Sequence, residues 1–460
     1  MSAIQDHHSM DRNSRIAGQL RELSAGISSA ALQEDGSLVR MIGIKLEAVG
    51  CQAPIGSRCK IITDEGSSIE AEVVGFSDGT LSLMPEGNLN GVKLGARVVP
   101  LTTGGVVAVG DQLLGRVIDG AGKPIDGGGA LQCAHHVPLR GQPINPLDRS
   151  PIFEPLDVGV RAINALLTMG KGQRIGLFAG SGVGKSTLLG MMTRHTEADV
   201  IVVSLVGERG REVREFVDDI LGKGGMSKAI IVATPADDLP LMRVHGAWRA
   251  TAIAEYFSGR GKKVLLLMDS LTRVAQAQRE IGLAVGEPPV SKGYPTSVFS
   301  VLPALVERAG NGPKGSITAV YTVLVEGDDF DDPVSDASRA ILDGHIVLSR
   351  QVAESGLFPA IDIDISVSRL MTNVVDADQL TMARELKSLY ASFQQNRDLI
   401  NIGAYQTGTD DTLDRAIGIA PHIRNFIAQD ESEKIDMDSS KAELAGLFQA
   451  SLAPLVGGDA

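Results

Sequence analysis

The stretch from Ala179 to Thr187, Ala-Gly-Ser-Gly-Val-Gly-Lys-Ser-Thr, constrains the fold more than any other part of the chain. The apolar run Ile175-Gly176-Leu177-Phe178 precedes it, and Leu188-Leu189-Gly190-Met191-Met192 follows. The pattern reads as a buried strand, a tight glycine turn and a helix. Glycines let the backbone curl with its N–H groups pointing inward, and a helix N-terminus adds a positive dipole, so the segment is suited to cradle phosphate. In such a loop Gly180, Ser181, Gly182, Val183, Gly184 and Thr187 supply the cradle. Lys185 reaches the β- and γ-phosphates, and the Ser186 hydroxyl takes a position on Mg²⁺. The first glycine of the usual pattern is Ala179 here, the mildest change available, and the glycines nearer the phosphates are kept. The expected ligand is a nucleoside triphosphate.

Bulk properties narrow the setting. A chain of 460 residues exceeds one ordinary core, so two or three domains are expected. Hydrophobic residues make up 43% and charged residues 22%, which suits a globular protein rather than a disordered one. The net charge of −13 argues against a chain whose main work is coating nucleic acid, and leaves room only for a local basic channel. Cys51, Cys59 and Cys133 show neither metal-ligand spacing nor an even disulfide set, as in a reducing cytoplasm. Cys133 with His135 and His136 reads as a solvated loop rather than a metal nest. The N-terminal MSAIQDHHSMDRNSR lacks the apolar core of a signal peptide, and no apolar run is long enough to span a bilayer. Any membrane contact is therefore expected to be peripheral or through a partner.

Patterning divides the chain into four zones. In residues 1–36, Ile16, Leu20, Leu23 and Ile27 fall on one face of a helix expected from Arg15 to about Leu32. Packing on its own domain and docking to a partner or membrane surface stand level as roles for this helix. Residues 37–104 carry short β-rich runs (Leu38–Ile44, Arg58–Ile62, Glu70–Val74, Thr80–Leu83, Arg97–Pro100) between Gly, Asp and Asn turns, the pattern of a small closed β-barrel. Residues 105–378 alternate helical patterns with the apolar runs Arg174–Ala179, Val200–Val206, Ala229–Thr234, Val264–Met268 and Ser316–Val325. Such continuous hydrophobicity is what a parallel sheet covered on both faces demands, so the zone is α/β. Residues 379–460 turn helical, with Leu386, Leu389 and Phe393, then Leu413, Ala416 and Ile417, then Leu444, Leu447 and Phe448 at helical spacing.

Transfer of a phosphoryl group to water needs a phosphate cradle, a metal holder, a group that orients water and positive charge near the γ-phosphate. The strand Val264–Met268 ends in Asp269, a carboxylate placed to hold metal. The strand Val200–Val206 runs into Gly207-Glu208-Arg209-Gly210-Arg211-Glu212. A carboxylate just past a strand's C-terminal end lies where open α/β sheets place ligands. Glu208 is thus a candidate for polarising the attacking water, weighed evenly against a solvated charged turn. Arg209 and Arg273 follow strand ends and are candidates for the γ-phosphate surroundings. Arg369, far along the chain, suits an arginine finger serving a neighbouring subunit, because guanidinium stays charged and matches phosphate oxygens.

The segments Gly176–Ser186, Gly207–Val213 and Met268–Glu280 together resemble the rotary ATPases. So do Gly293-Tyr294-Pro295, Glu326-Gly327-Asp328-Asp329, Asp343-Gly344-His345-Ile346 and Ser366-Val367-Ser368-Arg369. Within that family the chain is most similar to the flagellar and type III secretion export ATPases, over about residues 20–430. The resemblance implies an N-terminal β-barrel, a central RecA-like P-loop nucleotide domain with a mostly parallel sheet, and a C-terminal helical domain. It implies ATP and Mg²⁺, with Lys185 and Ser186 on phosphate and metal, Glu208 on water, Asp269 on metal, Arg209 and Arg273 near the γ-phosphate, and Arg369 as the trans-acting finger. Gly356-Leu357-Phe358-Pro359 resembles the adenine pocket, with Phe358 packing on the base.

The chain carries both Glu208 and Arg369, which ATP synthase divides between two subunits, so the resemblance implies a homohexamer with shared sites. It further implies a stator-like regulatory protein at the N-terminal segment and a stalk-like coiled-coil protein near Asp410 and Asp411. Export chaperone–substrate complexes and an export gate are the remaining expected partners, at the cytoplasmic face of the inner membrane. A flagellar role is favoured over a virulence-type secretion role. A non-catalytic nucleotide-binding subunit is disfavoured by Glu208. An RNA translocase is disfavoured because residues 37–104 hold one Phe and no Tyr or Trp on which bases could stack.

Overall fold

The computed structural model describes residues 34–451, apart from 64, 65, 142, 143, 326, 328 and 330. The helix expected from Arg15 to about Leu32 lies outside the described residues.

The first unit is a closed barrel of six strands: β1 (Gly36–Ile42), β2 (Lys45–Val49), β3 (Ser57–Ile62), β4 (Ser68–Ser77), β5 (Thr80–Pro85) and β6 (Arg97–Gly104). They pair in the order β1-β2-β5-β4-β3-β6, and β1 closes on β6 with Gly36 opposite Val98. Alternation puts Leu46, Cys59, Ile61, Val73, Leu83 and Val98 inside, where each is fully buried. Closure leaves no free strand edge. The strand β2 is not among the runs expected from sequence, because it follows β1 after only a two-residue turn and the two read as one segment.

The central sheet holds β7 (Val117–Ile118), β8 (Arg174–Ala179), β9 (Val200–Val206), β10 (Ala229–Thr234), β11 (Lys263–Asp269), β12 (Ser316–Leu324), β13 (Gly344–Leu348) and β14 (Val367–Ser368). Their order is β14-β13-β8-β12-β11-β9-β10-β7, with Gly310–Asn311 pairing against the start of β12. Every neighbouring pair along that order is parallel except β13 and β14. Ala179 lies opposite both Leu324 and Leu348, Leu205 opposite Asp269, and Val206 opposite Thr234. The C-terminal ends of six strands therefore form one edge, from which the ligand-bearing loops of such sheets leave.

Both faces are covered, which is why the strands read as unbroken apolar runs. Ile175, Leu177, Ile201, Val203 and Leu205 point to the side of helix α2 (Lys185–His195). Phe178, Val202, Leu266, Met268 and Tyr321 point to helices α4 (Pro240–Gly259) and α5 (Leu271–Val285). Two further helices matter below: α1 (Arg161–Leu166) and α3 (Gly210–Glu215). The C-terminal helices α6 (Ala377–Gln395), α7 (Asp411–Ile427) and α8 (Met437–Ser451) join the α2-side core through Leu386, Leu389, Leu413, Ala416 and Leu444. The α8 helix packs on α1, so the helical region rests directly on the nucleotide-binding unit.

The barrel meets the central unit through a buried polar contact. Glu72 on β4 bonds His245 on α4 at 2.8 Å and accepts from Arg140 at 3.2 Å. Contrary to the expected solvated loop, His135 and His136 lie in a strand, His135–Pro138, paired with Val106–Val109.

Candidate active site

The loop between β8 and α2 takes its shape from glycine. Gly182 and Gly184 sit at φ of 77° and 89°, a region that side-chain-bearing residues rarely adopt. A methyl group on Gly184 would touch the Phe358 ring at 3.6 Å, so the ring lies beside the loop. Lys185 is the first residue of α2, which places its neighbours' N–H groups at the helix N-terminus. A cleft of about 520 Å³ opens above the loop. Gly180, Ser181, Gly182, Gly184, Lys185, Ser186 and Thr187 line it, facing Glu208, Arg209, Glu212, Arg273 and Arg350. The Val183 side chain turns instead into the core, leaving its backbone to the loop.

Three charged groups converge at the floor. Lys185 Nζ donates to Asp269 Oδ1 at 2.6 Å and to Glu208 Oε1 at 3.4 Å. Asp269, the last residue of β11, is 5% exposed and also accepts from Thr322 Oγ1 at 2.6 Å. Burial pulls the Lys185 ammonium's pKa down, but the Asp269 and Glu208 carboxylates outweigh it and the net shift is upward. Burial, the Asp269 charge and the Glu212 carboxyl push Glu208 up to about 7. The hydrogen bond from Glu208 holds Glu212 below the usual carboxylate range, so Glu208 carries the proton of the pair.

The cations around this floor differ in freedom. Gly207 has φ of 70°, and a methyl group there would lie 3.0 Å from the Arg273 side chain, so glycine lets that side chain cross the strand end. Arg273 Nη1 donates to Gln276 at 2.9 Å, while its Nε is buried without a hydrogen-bond partner among the described residues. Arg209 is 80% exposed at its side chain and pairs loosely with Glu212 at 3.6 Å. Arg369 is not brought into this cleft. Its N–H donates to Asp343 O and its Nη2 to Arg339 O, both at 3.0 Å, at the opposite end of β8.

The donor set fits a divalent cation: a hydroxyl at Ser186 and a carboxylate at Asp269, which the Lys185 ammonium holds in place. Sequence reasoning did not assign Thr322, Glu212 or Arg350 to the site. Glu212 was visible in the charged hexapeptide after β9. Thr322 and Arg350 come from β12 and from beyond β13, where no local pattern marks them.

Comparison with known proteins decides what kind of cleft this is. Residues 159–368 match the nucleotide-binding domain of the ATP synthase alpha/beta family, and residues 375–446 match the C-terminal domain of the EscN-type secretion ATPases. A flagellum-specific ATP synthase of Pseudomonas aeruginosa is 57% identical over 424 residues, covering 91% of this chain and 94% of the relative. The chain belongs to the flagellar and type III secretion ATPase family. This ATPase is also 54% identical to the flagellum-specific ATP synthase of Salmonella typhimurium, over 91% of the chain and 94% of the relative. The type 3 secretion system ATPase of Xanthomonas euvesicatoria is 47% identical, over 86% and 89%. The assembled ATPase EscN of enteropathogenic E. coli superposes with a TM-score of 0.86 at 46% identity, covering 90% of this chain and 99% of EscN. EscN in complex with its central stalk EscO superposes at 0.82. The barrel, the nucleotide-binding unit and the helical region of this ATPase are thus the family's fold.

Proposed function

We propose that this ATPase hydrolyses Mg-ATP to energise protein export through the flagellar secretion apparatus, at sites shared between the subunits of a homohexamer. The observation that carries the hydrolytic reading is Glu208, at the floor of the phosphate cleft 3.4 Å from Lys185 Nζ, with its carboxyl pushed up to about 7. A general base is most effective with a pKa near the working pH. Glu208 orients the attacking water and takes its proton; Glu212 holds the Glu208 carboxyl in place. The loop N–H groups and Lys185 neutralise the phosphates, and Arg273, whose Nε has no partner among the described residues, turns toward the transferred group. Ser186 and Asp269 would hold Mg²⁺, which supplies positive charge against the phosphate oxygens. Phe358, 47% exposed beside Gly184, offers an apolar face to the base.

Arg369 lies too far from its own cleft to serve it. The five residue steps of β8 span about 17 Å at ~3.3 Å per residue. The reading is that Arg369 completes a neighbour's site, an effect worth roughly 10³–10⁵ in rate. The units responsible are residues 37–104, 105–378 and 379–460, with residues 1–36 binding a stator-like regulator. Because EscN has been captured with a central stalk, a stalk-like partner fits the helical region here. Export chaperone–substrate complexes and the export gate complete the partners, and the ATPase works in the cytoplasm against the membrane's inner face. The identities of 57% and 54% to flagellar relatives, against 47% to a type 3 secretion relative, favour the flagellar apparatus. The deciding measurement is turnover by Glu208→Gln. Nucleotide binding is expected to persist while hydrolysis falls by at least ~10²-fold; turnover at the wild-type rate would show that Glu208 is not the base.

A further inference from the structure

The two ends of β8 do different work. Its C-terminal end becomes the phosphate loop, and its N-terminal end holds the segment that carries Arg369. Arg174, the first residue of β8, gives three hydrogen bonds to one carboxylate: its N–H and Nε reach Asp343 Oδ2 at 3.0 Å and its Nη2 reaches Oδ1 at 3.2 Å. Its Nη1 lies 2.5 Å from Glu307, an ion contact without hydrogen-bond geometry that adds opposite charge on the far side. The Asp343 carbonyl in turn accepts from Arg369 N–H at 3.0 Å and from Gln173 Nε2 at 3.1 Å. Gln173 Nε2 also reaches Ser368 Oγ at 3.1 Å. The residues on either side of the start of β8 thus hold Asp343, Ser368 and Arg369 in one rigid cluster.

From this geometry we infer that Arg174 and Asp343 are positioning residues for Arg369, setting where the finger reaches into the neighbouring subunit's site. The inference rests on the trans-acting reading of Arg369. A planar fork with two side-chain bonds and a backbone bond leaves Asp343 little freedom, and Asp343 gives Arg369 its backbone anchor. Because the anchor is β8 itself, the loop gripping phosphate in one site and the finger entering the next are carried by one strand. A misplacement of about 1 Å at a reacting centre costs on the order of 10²-fold in rate, so loosening this cluster acts on turnover and not on nucleotide affinity.

The test uses the full-length assembled protein. Asp343→Asn is expected to lower kcat about 10- to 100-fold with KM for ATP within about twofold of wild type. Arg174→Lys keeps the charge but loses the fork, and is expected to lower kcat by a smaller factor without lowering the melting temperature. Mixing separates the possible causes. Lys185→Ala subunits have a disabled loop but an intact finger, so mixing them in should restore turnover to both Arg369→Ala and Asp343→Asn. If Arg369→Ala falls and is rescued while Asp343→Asn keeps the wild-type kcat, the positioning role is overturned and the finger stands. If Arg369→Ala itself keeps the wild-type kcat, the finger reading fails. An Asp343→Asn loss that Lys185→Ala subunits do not rescue places the defect in its own site and also overturns the inference.

Discussion

At neutral pH Glu208 sits near the midpoint of its titration, because burial and the Asp269 charge hold its carboxyl at about 7. Its basic form is the one that can take a proton from water, so hydrolysis should rise with pH through about 7 and level off above. Glu212→Gln removes a neighbouring negative charge and leaves only a weaker amide acceptor for the Glu208 proton, so the rise should move to lower pH; a pH–rate profile that does not move would disprove the coupling. Stability has the opposite sign. Between its ordinary value of 4.5 and about 7, folded Glu208 holds a proton that the unfolded chain has released, so this residue weakens folding as pH rises. Glu208→Gln should therefore melt higher than wild type above pH 7, with the gap closing below about 4.5. Much of this site was legible in the chain: the glycine spacing marked Lys185 and Ser186, and the strand-end rule marked Glu208 and Asp269. Thr322 was not legible, because a threonine inside an apolar strand is ordinary until Asp269 is found beside it.

Among the elements, α7 shows how a local device occupies a residue that resemblance had assigned elsewhere. The Asp410 carboxylate caps this helix, accepting from Thr412 N–H at 2.8 Å and Leu413 N–H at 3.1 Å. Asp411, in the first turn, is exposed and free to meet a partner. Asp410→Ala should cost about 1 kcal/mol and Asp410→Ser much less, measured by denaturant unfolding. Equal losses for the two would mean the cap contributes nothing. The same helix was readable from Leu413, Ala416 and Ile417, whose spacing gives the buried face. The strands β9 and β10 were read with the ends the structure shows, since both are buried on both faces and bounded by polar turns. The strand β13 was missed. Gly344-His345 breaks its apolar run, and its burial comes from pairing with β8, a partner more than 160 residues away.

Across the whole molecule, the barrel has a core of its own, and a buried polar tie, Glu72 with His245, joins it to the central unit. Burial raises the Glu72 pKa, but the bond to His245 and the positive groups around it, Arg140 and Arg58 among them, outweigh it and hold the carboxyl below its usual range. Its contribution is present above pH 4.5 and lost as pH falls through the lowered value. Removing one partner of this buried hydrogen bond leaves the other unsatisfied, at a cost of about 1–3 kcal/mol. Glu72→Ala should therefore lower the melting temperature and split off an early barrel transition; an unchanged single transition would mean the barrel is held by other contacts. The three-part architecture was legible because hydrophobic periodicity changes from two to continuous to helical along the chain. The tie between the parts was not, since Glu72 and His245 lie far apart in sequence and neither has a local signature.

The distance along β8 also has a genetic meaning. If each subunit keeps its phosphate loop at one end of the strand and lends its arginine from the other, no subunit is chemically whole. One defective copy then silences the pocket its own arginine should enter, even though that pocket belongs to a healthy neighbour. In a cell carrying both alleles, an Arg369 variant that still assembles would cost the ring one pocket per mutant subunit, its own pocket being served by a healthy neighbour, so turnover would fall in step with the share of mutant subunits.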